Sequence, residues 1–144
     1  MSKTLVVGYD TSDCSKRALD YATEWCLASG HKLVLTYVVQ WSPFSFNTPQ
    51  ENEERHKRRE AEIERAHREV VDPVVARLRE QGIDARGVIR HGHPAETIRE
   101  ISVELGASNV VIGRTGASRL KAQLFGSVAS TLIQVSKIPV TVVP

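Results

Sequence analysis

The sequence predicts an α/β fold in which helices cover a parallel β-sheet. Two observations along the 144 residues lead to this prediction. Short runs rich in β-branched residues recur along the chain, and the segments between them carry apolar residues at the three- and four-residue spacing of amphipathic helices. Strands that alternate with helices typically form parallel sheets. Because no internal repeat or linker divides the chain, one domain over residues 1–144 is expected.

The predicted strands are Thr4–Tyr9, Lys32–Val39, Ala85–Arg90, Asn109–Gly113 and Val140–Val143. Each intervening helix shows one apolar stripe, which is typical of a helix that packs on a sheet face. In chain order the stripes consist of Ala18, Ala22 and Cys26; Ile63, Ala66, Val70, Val74 and Leu78; Ile98, Ile101 and Leu105; and Val128, Leu132 and Val135.

Two segments interrupt this periodicity. Residues Trp41–Gln50 contain two prolines and no regular apolar spacing, which predicts a loop between the second strand and the second helix. Pro73 falls inside the pattern of the second helix. Proline removes a helical hydrogen bond, so a kink or a restart is expected there.

The composition is typical of a globular protein, with 41% hydrophobic and 25% charged residues. A net charge of +2 is too small to indicate binding to nucleic acid or to a membrane surface. No apolar run approaches the roughly 18 residues of a membrane span, and a cytoplasmic location is expected. The charged segment Glu51–Glu69 has seven Glu against six Lys and Arg, with opposite charges four residues apart, which favours a solvated, salt-bridged helix face.

The two cysteines, Cys14 and Cys26, fall on the same predicted helix. Twelve helical residues separate them by roughly 18 Å, well beyond the roughly 7 Å that a disulfide allows between Cα atoms. Packing is the expected role of both. Cys14 lies at the start of the helix, where the helix dipole could lower the pKa of its thiol, and a redox role there is a minor alternative.

The most informative segment is Gly113-Arg-Thr-Gly116, followed nine residues later by Gly126-Ser127. Glycines after a strand allow positive φ and bring backbone N–H groups close to an anion, and a helix N-terminus offers further N–H groups with a favourable dipole. This combination predicts a phosphate-binding loop. Its spacing matches neither the P-loop nor the dinucleotide fingerprint. The alternative is structural: the glycines only make a turn, and Gly126-Ser127 only caps a helix.

The glycine pattern G-x2-G-x9-G-Ser occurs together with Val6-Val-Gly-Tyr-Asp-Thr-Ser12 and Ile138-Pro-Val-Thr-Val-Val143. In this combination the whole chain resembles the universal stress protein family, in its ATP-binding branch. The resemblance implies one open five-stranded sheet of order 3-2-1-4-5 with helices on both faces, a Rossmann-like architecture of the adenine nucleotide alpha hydrolase type. Ligands then collect at the carboxyl ends of strands 1 and 4.

The resemblance also implies a set of nucleotide-binding residues. Asp10 would accept hydrogen bonds from the ribose diol, although capping of the first helix is an alternative role for it. The backbone of Val38 would read adenine, while a strand-end valine without a ligand is the alternative. The complete set is Asp10, Thr11, Val38, Ile112, Gly113, Arg114, Thr115, Gly116, Gly126, Ser127 and Val128.

Arg114 and Thr115 depart from the family pattern, which often has a small hydroxyl residue followed by His at these positions. Arg114 could contact a phosphate in a bidentate manner or point into solvent. The departure leaves the preference among triphosphate, diphosphate and cyclic nucleotides open.

His91-Gly-His93 has the spacing of metal ligands, but no cysteine or further histidine stands near it in sequence. A loop with two exposed histidines at the sheet edge is the preferred interpretation, and no metal site is predicted. The pair also faintly resembles the HxGH signature of nucleotidylyltransferases, although that signature belongs near the first strand. No arrangement typical of a catalytic triad or acid pair is present.

The expected function is therefore that of an ATP-binding regulator or sensor of stress, with Mg²⁺ as a companion of ATP and at most slow hydrolysis. A weak ATPase or nucleotidyl-transferring enzyme and a cyclic-AMP-binding module are the alternatives. An unidentified protein partner is expected, as is a homodimer through the C-terminal strand, where unpaired backbone groups favour pairing. Pro139 and Pro144 limit that pairing to a short segment. An edge strand covered by its own helix is the alternative.

Overall fold

A computed structural model describes residues 3–40, 48–116 and 125–144. These residues form a five-stranded sheet of order β3-β2-β1-β4-β5 in which every neighbouring pair is parallel. The strands are β1 (Thr4–Gly8), β2 (Lys32–Gln40), β3 (Ala85–Gly92), β4 (Asn109–Gly113) and β5 (Val140–Val143). The predicted fold and strand order are confirmed. The bounds of β4 and β5 agree with the prediction, whereas β3 runs two residues further than predicted.

The helices are α1 (Asp13–Ser29), α2 (Pro49–Ala66), α3 (Asp72–Glu80), α4 (Pro94–Glu104) and α5 (Ser127–Val135). Helix α2 begins with a capping box, in which Thr48 and Glu51 bond each other's backbone N–H groups. The predicted loop was therefore too long at its carboxyl end. The rest of it, residues 41–47, lies outside the described residues.

The interruption predicted at Pro73 is neither a break nor a restart, because the backbone stays right-handed helical from α2 into α3. A π-helical turn over His67–Val71 joins α2 to α3, and α3 has Pro73 in its first turn. Proline has no N–H to donate to the preceding turn, and the π-helical turn, in which the Asp72 N–H bonds to the His67 carbonyl five residues back, accommodates this loss.

The core consists of two apolar clusters, one on each face of the sheet. Successive residues of a strand point to opposite faces, so Leu5 and Val7 pack with α1 and α3 while Val6 packs with α4 and α5. Both faces are thus apolar, as a helix-covered parallel sheet requires. None of the described helices is both long and apolar enough to cross a membrane.

The charged face of α2 is exposed. One of the predicted pairs four residues apart, Glu54 with Arg58, approaches to 3.7 Å, and His56 lies 2.9 Å from Glu60. All four side chains are largely accessible to water, so these contacts contribute little to stability.

Candidate functional site

The crevice between the carboxyl ends of β1 and β4 is where the two halves of the sheet diverge. The two strands are neighbours, but the chain leaves β1 through α1 towards β2 and leaves β4 towards β5 on the other side. Such a switch point opens a crevice at the carboxyl ends of the two strands. Asp10 follows β1 and the Gly113–Gly116 loop follows β4, so the fold brings the two predicted segments together.

Asp10 is held by the first turn of α1. Its Oδ1 accepts a hydrogen bond from the N–H of Ser12 at 3.0 Å and a second one from the Ser12 hydroxyl. The helix cap is Ser12, whose hydroxyl oxygen accepts from the N–H of Ser15 at 3.2 Å. The alternative that Asp10 caps the helix is therefore not the arrangement found. Its carboxylate is oriented by Ser12 instead.

Thr11 has a φ of 68°, the left-handed value that non-glycine residues rarely adopt. No other non-glycine residue in the described segments has a positive φ. Backbone strain of this kind costs on the order of 1–3 kcal/mol and clusters at functional sites. Here it turns the chain sharply from β1 into α1, which places the Asp10 side chain over the crevice.

The glycines of the loop allow close approach rather than positive φ. A Cβ on Gly116 would lie 2.9 Å from Oδ2 of Asp10, and a Cβ on Gly113 would lie 2.8 Å from Sγ of Cys14. The expectation of positive φ at Gly113 and Gly116 was wrong. Among the described glycines, positive φ belongs to Gly30, Gly82, Gly92 and Gly106.

Gly126 is the N-cap of α5 and lies against the loop. A Cβ there would meet the backbone N of Gly116 at 3.2 Å, and the N–H of Gly126 donates to the carbonyl of Arg114 at 2.8 Å. That amide therefore closes the loop, and the assignment of Gly126 to nucleotide binding stays a prediction. The first N–H that bonds within α5 is that of Ser130, whose N lies 3.0 Å from the Gly126 carbonyl oxygen. The amides of Ser127 and Val128 come before it, in the first turn, where N–H groups have no intrahelical acceptor.

The two loop residues that depart from the family pattern differ in exposure. Arg114 is exposed, and its backbone N–H donates to the carbonyl of Val143 at 2.8 Å. Thr115 is half-buried, and its N–H lies 3.5 Å from Sγ of Cys14. Both backbone amides thus point into the protein, and a phosphate contact from Arg114 would come from its side chain. Ile112, the residue before the loop, is buried among the side chains of α4 and α5.

Val38 lies where β2 extends past the end of β1. Pairing between the two strands ends with Gly8 opposite Thr36, and the N–H of Tyr9 donates to the Thr36 carbonyl at 2.9 Å. Backbone groups two residues apart in a strand point the same way. The N–H and carbonyl of Val38 therefore point towards the crevice side of β2, beyond the last residue of β1.

The sequence did not identify Cys14 as part of this site. It is 4% exposed, and its Sγ contacts both the loop and β5. Burial raises the pKa of its thiol, but hydrogen bonds from Thr115 and Arg114 and the charge of Arg17 outweigh burial and lower the pKa overall. Burial alone raises the pKa of Cys26 to about 11. The position of Cys14 one turn after Asp10 was the available signal, because the start of α1 must lie beside the crevice.

The predicted loop of two exposed histidines is partly wrong. His91 is half-buried within β3, and its Nε2 lies 3.2 Å from the carbonyl of Arg59 on α2. His93 is exposed and is the N-cap residue of α4. Because β3 continues to Gly92 and contacts α2, His91 belongs to the sheet, whereas His93 precedes α4. No cluster of three or more His, Cys, Asp or Glu with the geometry of a metal site occurs in the described parts of the chain.

Comparison with known proteins identifies the family. A model of the universal stress protein family matches residues 1–144. The chain belongs to the universal stress protein family. It is 26% identical to universal stress protein YxiE of Bacillus subtilis, an alignment that covers 99% of each chain.

Solved structures extend this comparison. The structure of protein MJ0577 superposes with a TM-score of 0.84 at 24% identity and covers 99% of this chain and 96% of that one, which shows the shared fold. A universal stress protein in complex with cAMP has a TM-score of 0.65 at 26% identity, with 99% of this chain and 97% of that one covered. The Archaeoglobus fulgidus universal stress protein in complex with dAMP has a TM-score of 0.65 at 22% identity, with 100% and 98% covered.

Proposed function

We propose that this universal stress protein binds an adenine nucleotide, ATP with Mg²⁺, in the crevice between β1 and β4, and acts as a regulator or sensor in a stress response. One observation carries the proposal: Oδ2 of Asp10 lies 2.9 Å from the position that a Cβ on Gly116 would take. A carboxylate from one strand end and a glycine loop from the next thus meet, with no side chain between them.

Each part of the crevice suits one part of the nucleotide. The Asp10 carboxylate, oriented by Ser12, can accept hydrogen bonds from a ribose diol. The outward backbone groups of Val38 can pair with the edge of adenine. The amides of Ser127 and Val128 at the start of α5 favour phosphate, since a helix N-terminus combines donors with a positive dipole. Mg²⁺ would enter with the phosphates, because such sites hold it mainly through substrate oxygens and one or two carboxylates.

A regulator is preferred to an enzyme for this crevice. The sequence offers no evident general base beside the loop, and a nucleotide that favours one loop arrangement suffices to change a surface that a protein partner contacts. A cyclic-AMP-binding module is the second candidate. One observation favours it: a universal stress protein 26% identical to this chain was solved with cAMP. The departure of Arg114 and Thr115 from the family pattern leaves the choice between the two nucleotides open.

The test is calorimetric titration of the full chain with ATP, ADP, AMP and cAMP, with and without Mg²⁺, and with inorganic triphosphate. ATP is expected to bind more tightly than cAMP, and Asp10→Asn is expected to weaken ATP by about tenfold or more, since it removes a charged hydrogen-bond acceptor. Inorganic triphosphate should bind the variant as it binds the wild type. Equal weakening of ATP and triphosphate contradicts the ribose assignment, and preference for cAMP selects the second candidate.

A homodimer through β5 is part of the same proposal. The N–H of Arg114 donates to the carbonyl of Val143, and the N–H of Val110 donates to the carbonyl of Pro139, the residue before β5. The backbone groups of these two residues therefore face β4. By the alternation of a strand, the N–H and carbonyl of Val142 point outwards, towards the open edge. Edge pairing with a second copy would use them.

Sedimentation of Val142→Pro tests the dimer. The substitution removes an outward N–H and leaves the hydrogen bonds to β4 in place, and Val142→Ala is the matched control because it keeps that N–H. A dimer that becomes a folded monomer with proline but not with alanine supports the interface. A proline variant that stays dimeric rules it out.

A further inference from the structure

Three elements contact one another at the glycine loop. They are the loop itself, the first turns of α1 and the last residues of β5. The Val143 carbonyl accepts hydrogen bonds from the N–H of Arg114 at 2.8 Å and from the Cys14 thiol at 3.5 Å. Cys14 Sγ also accepts from the N–H of Thr115 at 3.5 Å. One turn further along α1, Nε of Arg17 donates to the Pro144 carbonyl at 3.0 Å.

We propose that Cys14 and Arg17 are positioning residues that couple the nucleotide loop to β5, so that ligand binding at the loop and ordering of the β5 edge favour each other. The coupling rests on the proposed nucleotide function. It assigns to α1 a role beyond holding Asp10: its first two turns connect the ligand site to the strand that presents the open edge of the sheet.

The contact is too tight to absorb a shift of the loop. A Cβ on Gly113 would lie 2.8 Å from Cys14 Sγ, and 2.9 Å and 3.0 Å from the Cys14 backbone C and O. Cys14 is 4% exposed, so no layer of water separates it from the loop. Close-packed groups pass displacements to their neighbours. A shift of the loop towards a phosphate therefore changes its contacts with Cys14, made by Gly113 and Thr115, and its contact with Val143, made by Arg114.

The chemistry of the thiol suits this position. A thiol is both a weak donor and a weak acceptor, so Cys14 can accept from Thr115 and donate to Val143 at once. Serine retains both functions, whereas alanine retains neither. Arg17 provides a second, independent connection on the exposed side of the same helix, and it bonds to the residue that follows β5.

The expected coupling between ATP binding at the loop and ordering of β5 can be given a size. Coupling free energies between two sites correspond to factors of about 5–150 in affinity, and each site affects the other equally. If the loop and β5 are coupled, ATP must stabilise β5 more than it stabilises a strand remote from the crevice. Strand β3 is the matched reference, because it lies at the opposite edge of the same sheet.

Amide hydrogen exchange with and without saturating ATP tests the coupling, with dialysis at the same concentrations to measure ATP binding. The variants are Cys14→Ala, Cys14→Ser and Arg17→Gln. Cys26→Ala is the control, since Cys26 is buried on the same helix but packs in the core away from the loop. In the wild type, ATP is expected to slow exchange of β5 at least about fivefold more than exchange of β3.

At ATP concentrations that saturate each variant, Cys14→Ala and Arg17→Gln should each reduce this excess, and Cys14→Ser and Cys26→Ala should retain it. An excess that survives in both Cys14→Ala and Arg17→Gln overturns the role of these residues. Wild-type ATP binding with equal slowing of β5 and β3 overturns the coupling and leaves the proposed function standing. Absence of ATP binding in the wild type overturns the proposed function and the coupling together.

Discussion

Gly116 in the crevice and Gly87 in β3 solve the same steric problem for different purposes. A Cβ on Gly87 would lie 2.2 Å from Cγ1 of Val71, a side chain with no exposed surface. A Cβ on Gly116 would lie 2.9 Å from a carboxylate oxygen of Asp10, in a half-buried position. A glycine that admits an aliphatic side chain serves packing, whereas a glycine that admits a carboxylate keeps a polar group accessible. The side chain that approaches a glycine therefore indicates whether that glycine serves packing or a binding site.

The need for Gly87 arises from the π-helical turn before Pro73. The turn places Val71 directly over β3, where only a residue without a side chain leaves room for it. π-helical turns are frequently associated with functional sites. Here the described contacts of Val71 are with the core, so the turn serves the packing of α3 on the sheet.

The largest expected effect is that of Gly116→Val on ATP binding. The new side chain would displace the Asp10 carboxylate and fill the path of the phosphates, and ATP affinity should fall by more than about a hundredfold. The free energy of unfolding should change little, because the displaced atom is the end of a side chain beside solvent. Calorimetric titration measures the affinity and urea unfolding measures the stability. Unchanged affinity in a folded variant would rule out the phosphate-loop assignment.

The second-largest expected effect, at Gly87, is on stability and not on ATP binding. Gly87→Ala should lower the free energy of unfolding by about 1–3 kcal/mol, since it overpacks a close-packed core. ATP affinity should stay that of the wild type. Val71→Ala in the same chain should recover part of the loss, because the truncated side chain leaves room for the new methyl group. Strictly additive effects of the two substitutions in urea unfolding would mean that the contact is not the cause.

Strand pattern and helix periodicity were enough to predict the alternating fold, because they follow directly from burial on both faces of the sheet. Glycine conformation was not predictable in the same way. The sequence indicated that Gly113 and Gly116 matter but not that Cys14 and Asp10 approach them, since those contacts join segments about a hundred residues apart. His91 was placed outside β3 because its contact with α2 is likewise a tertiary one.

The smallest expected effect compares the two cysteines of α1. The pKa of Cys26 rises from 9.0 to about 11 on folding, so between these pH values the unfolded chain has released a proton that the folded chain retains. Stability contributed by this difference is present below about pH 9 and is lost as the pH rises towards 11. Cys14 has the opposite sign, because folding lowers the pKa of its thiol and a rising pH then favours the folded state.

Urea unfolding of the wild type, Cys26→Ala and Cys14→Ala between pH 7 and 10.5 measures both contributions. Lysine and tyrosine residues also titrate in this range, so the informative quantity is the difference between each variant and the wild type at every pH. The stability of Cys26→Ala relative to the wild type should rise with pH, and that of Cys14→Ala should fall. Parallel curves for the two variants would show that the loop amides do not favour the thiolate of Cys14, and that the crevice and the core treat a buried thiol alike.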